Sequence, residues 1–300
     1  DAAADGPLQL KLTATDAHNM QKQASWANRN VQTALDAAEI AARRDALLHR
    51  LGEALTLENA QMRFAVSKQT GSFLLHDLAT GVVWSSGVQT NGVGTASYQH
   101  GDQQHTLVLT APDAAKLENG KIHLNWTRSC GTFDVYFEQL PDGSGISASY
   151  TAAPADGWTL TSVTPLDHAL WTLDTENGYA AVPESIGKLY YADGSEQFNK
   201  VYQTYGNYSM AFAGAVKDGS AMLIDWTDPD TALNVHHSRI DSPYAGGSDQ
   251  LSFSLSMTQR SGAFQMRVLG KGGYVQIAKA YRAAASARGL VRTFAQKAQA

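Results

Sequence analysis

The residues best suited to chemistry gather between Gly178 and His237, in GYAAVPESIGKLYYADGSEQFNKVYQTYGNYSMAFAGAVKDGSAMLIDWTDPDTALNVHH. Tyr179, Tyr190, Tyr191, Tyr202, Tyr205, Tyr208, Trp226 and the pair His236-His237 are interleaved there with turn-forming Gly, Pro, Asn and Asp. Rigid rings with an apolar face and a polar tip suit a flat ligand with an apolar face and a hydroxyl rim, as a sugar has. Strand-rich domains also use Tyr and Trp simply as core and sheet-face residues. Both readings of the stretch stay open on the sequence. The ligand-facing reading selects Tyr190, Tyr191, Tyr202 and Tyr205 as loop residues, Trp226 at a strand end, and His237.

Other polar groups nearby were weighed for specific reactions. Asp225, Asp228 and Asp230 in DWTDPDT form an acidic triplet that suits either Ca²⁺ or a capped turn after a strand. The glycine and distal Glu of a calcium loop are absent, so the turn is the expectation and no metal is assigned. Adjacent residues of a strand point to opposite faces, so His236 and His237 cannot both ligate one ion. Glycoside hydrolysis needs two carboxylates about 5–10 Å apart. Asp167, Glu184, Asp193, Glu196 and Asp225 are all near the stretch, and no spacing singles out a pair. An acid–base pair such as His168 with Glu184 is conceivable for mutarotation, and nothing in the sequence ties the two together. Cys130, the sole cysteine, sits in a strand-like WTRSCGTF and reads as a small core residue. The chain has no GxSxG elbow, HExxH, phosphate loop or dinucleotide fingerprint.

The elements that must position these groups follow from pattern. Of the 300 residues, 43% are hydrophobic and 17% charged, a globular composition. A net charge of −5 with no basic stripe argues against nucleic acid as partner. No apolar run reaches the roughly 18–20 residues of a membrane helix. The opening DAAADGP, with its small residues, fits a processed, exported protein, periplasmic or secreted.

Asp16 to Leu51 reads as a helix-favouring block, with Asp16 as N-cap, apolar residues at three-to-four spacing and Gly52 as its stop. From Glu53 the period becomes two. ALTLENAQMRFAV, KQTGSFLLHDLATGVVWSSG, HTLVLTA, KIHLNWTRS, FDVYFEQL, GISASYTA and WTLTSVTPL are strands divided by turn residues. SMAFAGAVK and SAMLIDW form a hairpin through Asp218-Gly219, and TALNVHHSR, QLSFSLSMTQ and AFQMRVL complete the series. At Gly272-Gly273 the pattern reverts to a helix, YVQIAKAYRAAASARG, with Val275, Ile277, Ala278 and Tyr281 as contacts and Gly289 as its end. Serial short strands without intervening helices define a mainly β, antiparallel sandwich with a helical segment over 1–52, a β domain over 53–272 and a helical exit over 273–300.

Three stretches resemble a known family. TLENAQMRFAVSKQTGSFLLHDLATGVVWSS is similar to the opening hairpins of galactose-mutarotase-like β-supersandwich domains. LDHALWTLDTENGYAAVPESIGKLYY resembles their strand leading to a Gly-Tyr-x-x-x-Pro turn. GYVQIAKAYRAAASARGLVRTFAQKA is similar to the helix and connector that lead on to a (β/α)8 barrel in glycoside hydrolases such as the endo-α-N-acetylgalactosaminidase family. The resemblance covers roughly 53–300. It implies an accessory module whose catalytic carboxylates lie on a barrel partner, so it transfers no catalytic residue here. The function expected is support of a carbohydrate site in an exported glycoside hydrolase. The alternatives are a self-contained carbohydrate-binding protein or a small sugar epimerase or lyase.

Overall fold

The computed structural model describes residues 6–15, 21–31, 37–86, 92–194, 196–203, 206–242 and 245–291. It opens with a hairpin of β1 (Gly6–Thr15) and β2 (Gln21–Val31), followed by α1 (Ala37–Leu51). The expected helix from Asp16 is therefore corrected: its first half is a strand, and only its second half is helical. QKQASWANRNV lacks a 3.6-residue apolar stripe and is rich in Asn and Ser, weak helix formers. Backbone pairing with the alternating LQLKLTAT satisfies its hydrogen bonds instead. Asp16 itself lies outside the described residues.

Four meandering strands come next: β3 (Ala54–Glu58), β4 (Met62–Ser67), β5 (Phe73–Asp77) and β6 (Val83–Ser85). The DLATG turn joins the last two, with Gly81 at φ 78° as the turn demands. Phe64, Val66, Phe73 and Leu75 alternate into the main core. Ala65, Leu74 and Val83 face the other way and are covered by Leu47 and Leu51 of α1.

The remaining strands build two larger antiparallel sheets. They are β7 (Thr95–His100), β8 (Gln103–Val108), β9 (Ala114–Glu118), β10 (Lys121–Arg128), β11 (Gly131–Gln139), β12 (Gly145–Pro154) and β13 (Thr159–Leu173). After a 3₁₀ turn at Asp174–Glu176 come β14 (Tyr179–Val182), β15 (Lys188–Tyr191) and β16 (Phe198–Tyr202). Then follow β17 (Phe212–Lys217), β18 (Ser220–Trp226), β19 (Ala232–Ser242), β20 (Ala245–Met257) and β21 (Ser261–Lys271). The nine-stranded sheet runs β15-β14-β17-β18-β21-β12-β11-β10-β9, and the six-stranded one β16-β19-β20-β13-β7-β8. Phe133, Phe137 and Tyr150 of the former pack in one core with Val163, Phe253 and Leu255 of the latter. The β-sandwich expected from the two-residue period is what the chain forms.

The final helix, α2 (Tyr274–Ala287), lies on the outside of β17 and β18. This explains why SAMLIDW is buried on both faces. Met222, Ile224 and Trp226 enter the main core, while Ala221 and Leu223 meet Ile277 of the helix. Gly214 permits that approach, since a Cβ there would stand 2.5 Å from Ile277. Ile277 and Tyr281 make contacts as expected, whereas Val275 and Ala278 are exposed. Gly289, at φ 72°, ends the helix.

Candidate functional site

The aromatic stretch straddles both large sheets. β14 and β15 form one edge of the nine-stranded sheet, and β16 forms the edge of the six-stranded sheet beside β19. Tyr190, Tyr191 and Tyr202 are therefore strand residues rather than loop residues. The two edges bring Tyr190 and Tyr202 into contact, with their hydroxyls 2.7 Å apart. Both phenols donate towards one oxygen of Glu184, at 2.8 and 2.9 Å from its Oε2. Lys200 donates to the Tyr190 hydroxyl at 3.2 Å, and its ammonium lies 4.6 Å from the centre of that ring. Lys188 approaches the other Glu184 oxygen at 3.8 Å.

The electrostatics follow from this arrangement. The Tyr190 phenol above all, then Tyr202 and the two ammonium groups, hold the Glu184 carboxyl below the usual carboxylate range. Burial, with hydrogen bonds to Tyr190 and Glu184, pushes the Tyr202 phenol far up, so it stays a donor. Glu184 is thus a fixed anion able to orient a hydroxyl. A general acid needs the opposite shift. Pro183 to Gly187 carries this carboxylate on a turn with Ser185 at φ 55° and Gly187 at φ 106°, and Ile186 at its tip is fully exposed.

The other expected site residues fall as follows. Tyr190, Tyr202, Trp226 and His237 are buried, and Tyr191 is half-buried against Tyr179. Tyr205 lies outside the described residues. Trp226 packs edge-on to Tyr208, whose backbone is bridged to Glu184, and its ring belongs to the shared core. His237 packs near Phe198, which itself touches Tyr190, and its ring nitrogens meet the carbonyl oxygens of Ala192 and Glu196. His236 faces the opposite side of the sheet, as strand alternation requires. His168 pairs with Asp167 at 2.9 Å and not with Glu184.

The acidic triplet does not form a shared cage. Asp225 is fully buried on the α2 side, with Arg288 at 2.8 Å and Arg267 at 3.6 Å. Asp228 accepts the Asp230 amide at 3.0 Å, which makes the turn that DWTDPDT implies. Among the described residues no group of three or more His, Cys, Asp or Glu is placed to hold a metal ion. Cys130 is buried, and burial pushes its thiol up, away from nucleophilic use.

Sequence reasoning missed Lys188 and Lys200 as partners of Glu184, and Phe198 as a neighbour of Tyr190 and Lys200. Their signal was present in KLYY and FNKVY, two short segments in which a lysine precedes a tyrosine by two residues and so shares its face, but the turn residues around them obscured both strands.

The architecture defines a β-sandwich domain with a polar shelf where its two large sheets meet at one edge. No family model matches the chain, and no curated protein matches it. Among solved structures its fold is similar to α-N-acetylgalactosaminidase NagBb from Bifidobacterium bifidum, in complex with GalNAc. The TM-score is 0.61 at 12% sequence identity, and the alignment covers 82% of this chain and 40% of that one. Identity this low shows a shared fold, and the chain spans less than half the length of that enzyme.

Proposed function

We propose that this chain is an accessory sandwich module of an exported glycoside hydrolase, supporting a carbohydrate site. The observation that carries the reading is the fold shared with 40% of a solved glycosidase. The assignment to the galactose-mutarotase-like supersandwiches rests further on the three stretches quoted above. The state of the carboxylates is consistent with a supporting role. Glu184 and Asp167 are both held below the usual carboxylate range, while Asp225 is enclosed by two arginines. Burial raises the Asp225 carboxyl, but it is fully buried against Arg267 and Arg288, so none of the three is an open, raised-pKa acid of the kind that glycoside cleavage uses.

In this reading a barrel in the same polypeptide supplies the nucleophile and acid. The Glu184 shelf lines one side of the sugar site, with the Glu184 carboxylate and the Lys188 and Lys200 ammonium groups addressing hydroxyls and the edges of Tyr190 and Tyr191 adding apolar contact. The location is periplasmic or extracellular. Titration calorimetry of the 300 residues with a panel including GalNAc, galactose and their oligosaccharides tests the shelf. Saturable binding weakened about tenfold or more by Glu184→Gln or Lys200→Met is expected, together with no release of nitrophenol from nitrophenyl glycosides. Turnover by the isolated chain would overturn the accessory role and favour an enzyme acting within these residues. Binding without any barrel partner in the full gene product would favour a self-contained carbohydrate-binding protein.

A further inference from the structure

A second polar cluster lies on the opposite face of the six-stranded sheet. Leu233, Val235, Leu251, Phe253, Leu255 and Met257 point into the core. Their alternates on β19 and β20 therefore share the outer face. Near its middle Ser254 is 2% exposed and forms the hub of a closed network. Its hydroxyl donates to Asp167 Oδ1 at 2.7 Å. It accepts the backbone N–H of His168 at 2.9 Å and faces His236 Nε2 at 2.9 Å. His168 Nδ1 meets the same Asp167 oxygen at 2.9 Å, and the two imidazoles stack with centroids 4.0 Å apart.

The hydrogens in this network can be assigned. The carboxyl of Asp167 is held below the usual range despite partial burial, through its bonds to His168 and Ser254, so it only accepts. Ser254 has one hydrogen, and the short bond to the anion takes it. His236 Nε2 must then be the donor. Burial, with His168 alongside, lowers this imidazole to about 4, so at neutral pH Nδ1 keeps a free lone pair. His168 Nδ1 gives its hydrogen to Asp167, leaving Nε2 on a side chain that is 44% exposed. Asp167 retains Oδ2. The charged groups acting on Asp167 and His236 are each other and His168, with no Lys or Arg among them.

The backbone is distorted to produce this arrangement. β13 slips register against β20 three times, between Val163 and Leu166, Leu166 and Ala169, and Ala169 and Thr172. His168 and Leu170 adopt φ of 45° and 54°, a region that costs a residue with a Cβ free energy. Bulges of this kind re-aim a side chain, and here they turn Asp167 and His168 towards His236 and Ser254 across β20.

We propose that this outer face carries a second ligand site, distinct from the Glu184 shelf, for a donor-rich polyol bearing an ammonium group, such as an amino sugar with a free amine. The acceptors available to it are Asp167 Oδ2 and His236 Nδ1, beside the exposed His168 ring. Such a set accepts hydroxyl and ammonium hydrogens and repels phosphate or carboxylate.

The test is NMR titration of the histidine ring protons of the 300-residue chain at pH 7. The probes are glucosamine and galactosamine, compared with glucose, galactose, N-acetylglucosamine and glucuronate. Glucosamine or galactosamine should shift the His168 and His236 resonances saturably, at least tenfold more tightly than the acetylated or neutral sugars. Glucuronate should not shift them. Asp167→Asn preserves the shape and the hydrogen-bond acceptor while removing the charge. It should abolish the preference for the amine while unfolding stays cooperative at a lowered melting temperature, and Glu184→Gln should leave the titration unchanged. No shift with either amine would overturn the proposal. So would equal binding of the acetylated or acidic sugars, or a response lost in Glu184→Gln.

Discussion

The two polar clusters use the sandwich in opposite ways. Where the edges of the two large sheets meet, Glu184 receives two phenols at 2.8 and 2.9 Å, and Lys200 sits over the ring of one of them. Its donors outnumber its acceptors. On the outer face the hydrogens of Ser254 and His236 are used within the cluster, and Asp167 Oδ2 and His236 Nδ1 are left over as lone pairs. Both clusters ionise a carboxylate, but the first surrounds it with ammonium groups and phenols and the second with imidazoles. A carboxylate by itself therefore says little about a site. What its donors leave unused decides which ligand the site can hold.

Removing a ring from the inner cluster should have the largest consequence. Tyr202 is 1% exposed, and its ring belongs to the shared core while its hydroxyl is bound to Glu184. Tyr202→Ala leaves a cavity and should cost about 3–5 kcal/mol in urea unfolding. Tyr202→Phe retains the packing and should cost only about 1–2 kcal/mol. Equal losses for the two variants would show that the hydroxyl, rather than the ring, holds the sheet edges together.

Acid should act next most strongly, and of the two clusters on the outer one first. His236 binds its proton near 4 when folded and near 6.5 when unfolded, so between these values the unfolded chain holds more protons. Stability is full above about pH 6.5 and falls as pH drops towards 4, by on the order of 3 kcal/mol from this residue. Glu184 and Asp167 have lowered values, so their contributions persist above the unfolded carboxylate range and disappear only as pH falls through the folded values. Melting temperature measured from pH 7 to 4.5 should decline in the parent and decline less in His236→Asn. An identical slope in both would rule out His236 as the source.

Ser254→Ala should follow, costing about 1–3 kcal/mol, because it leaves the His236 Nε2–H and the His168 amide without their acceptor inside the sheet face. Chemical denaturation reads this directly. A neutral result would mean that water enters and replaces the hydroxyl.

The difference between the clusters also explains how much was legible beforehand. The strand series, the Asp218-Gly219 hairpin and α2 follow from local periodicity and turn chemistry, which need only neighbouring residues. The opposed faces of His236 and His237 follow equally from the two-residue repeat. The strand over Gln21–Val31 was obscured because its Ala and Gln favour helix and its pairing with β1 decides the outcome. Neither cluster could be assembled: the inner one falls within residues 184–202 but forms only where the edges of two sheets meet, and the outer one depends on pairs far apart in the chain. Asp167 and Ser254 are 87 residues apart, and they meet only because β13 is bulged at positions that no local rule marks. QLSFSLSMTQ did place Ser252, Ser254 and Ser256 on one face, but serine on a solvent face is ordinary, and its burial under two imidazoles depends on β13.

The smallest effects separate the two lysines of the inner cluster. Lys188 is 45% exposed and 3.8 Å from Glu184, a surface pair of the kind that contributes little. Lys200 is half-buried, donates to Tyr190 at 3.2 Å, and has the rings of Tyr190 and Phe198 within 4.6 and 4.9 Å. Its ammonium is more shielded from water, and its interactions with the phenol and both rings are correspondingly stronger. Lys188→Met should change stability by less than about 0.5 kcal/mol and Lys200→Met by about 1 kcal/mol. A double-mutant cycle of each with Tyr190→Leu isolates the ring term, since Leu keeps bulk but removes both the hydroxyl and the π face. Both ammonium groups lie over the Tyr190 ring, Lys200 at 4.6 Å and Lys188 at 4.9 Å, and coupling should be larger for Lys200, which also donates to the phenol. The reverse order would place the working cation on the Pro183–Gly187 side of Glu184 and move the sugar-facing side of the shelf with it.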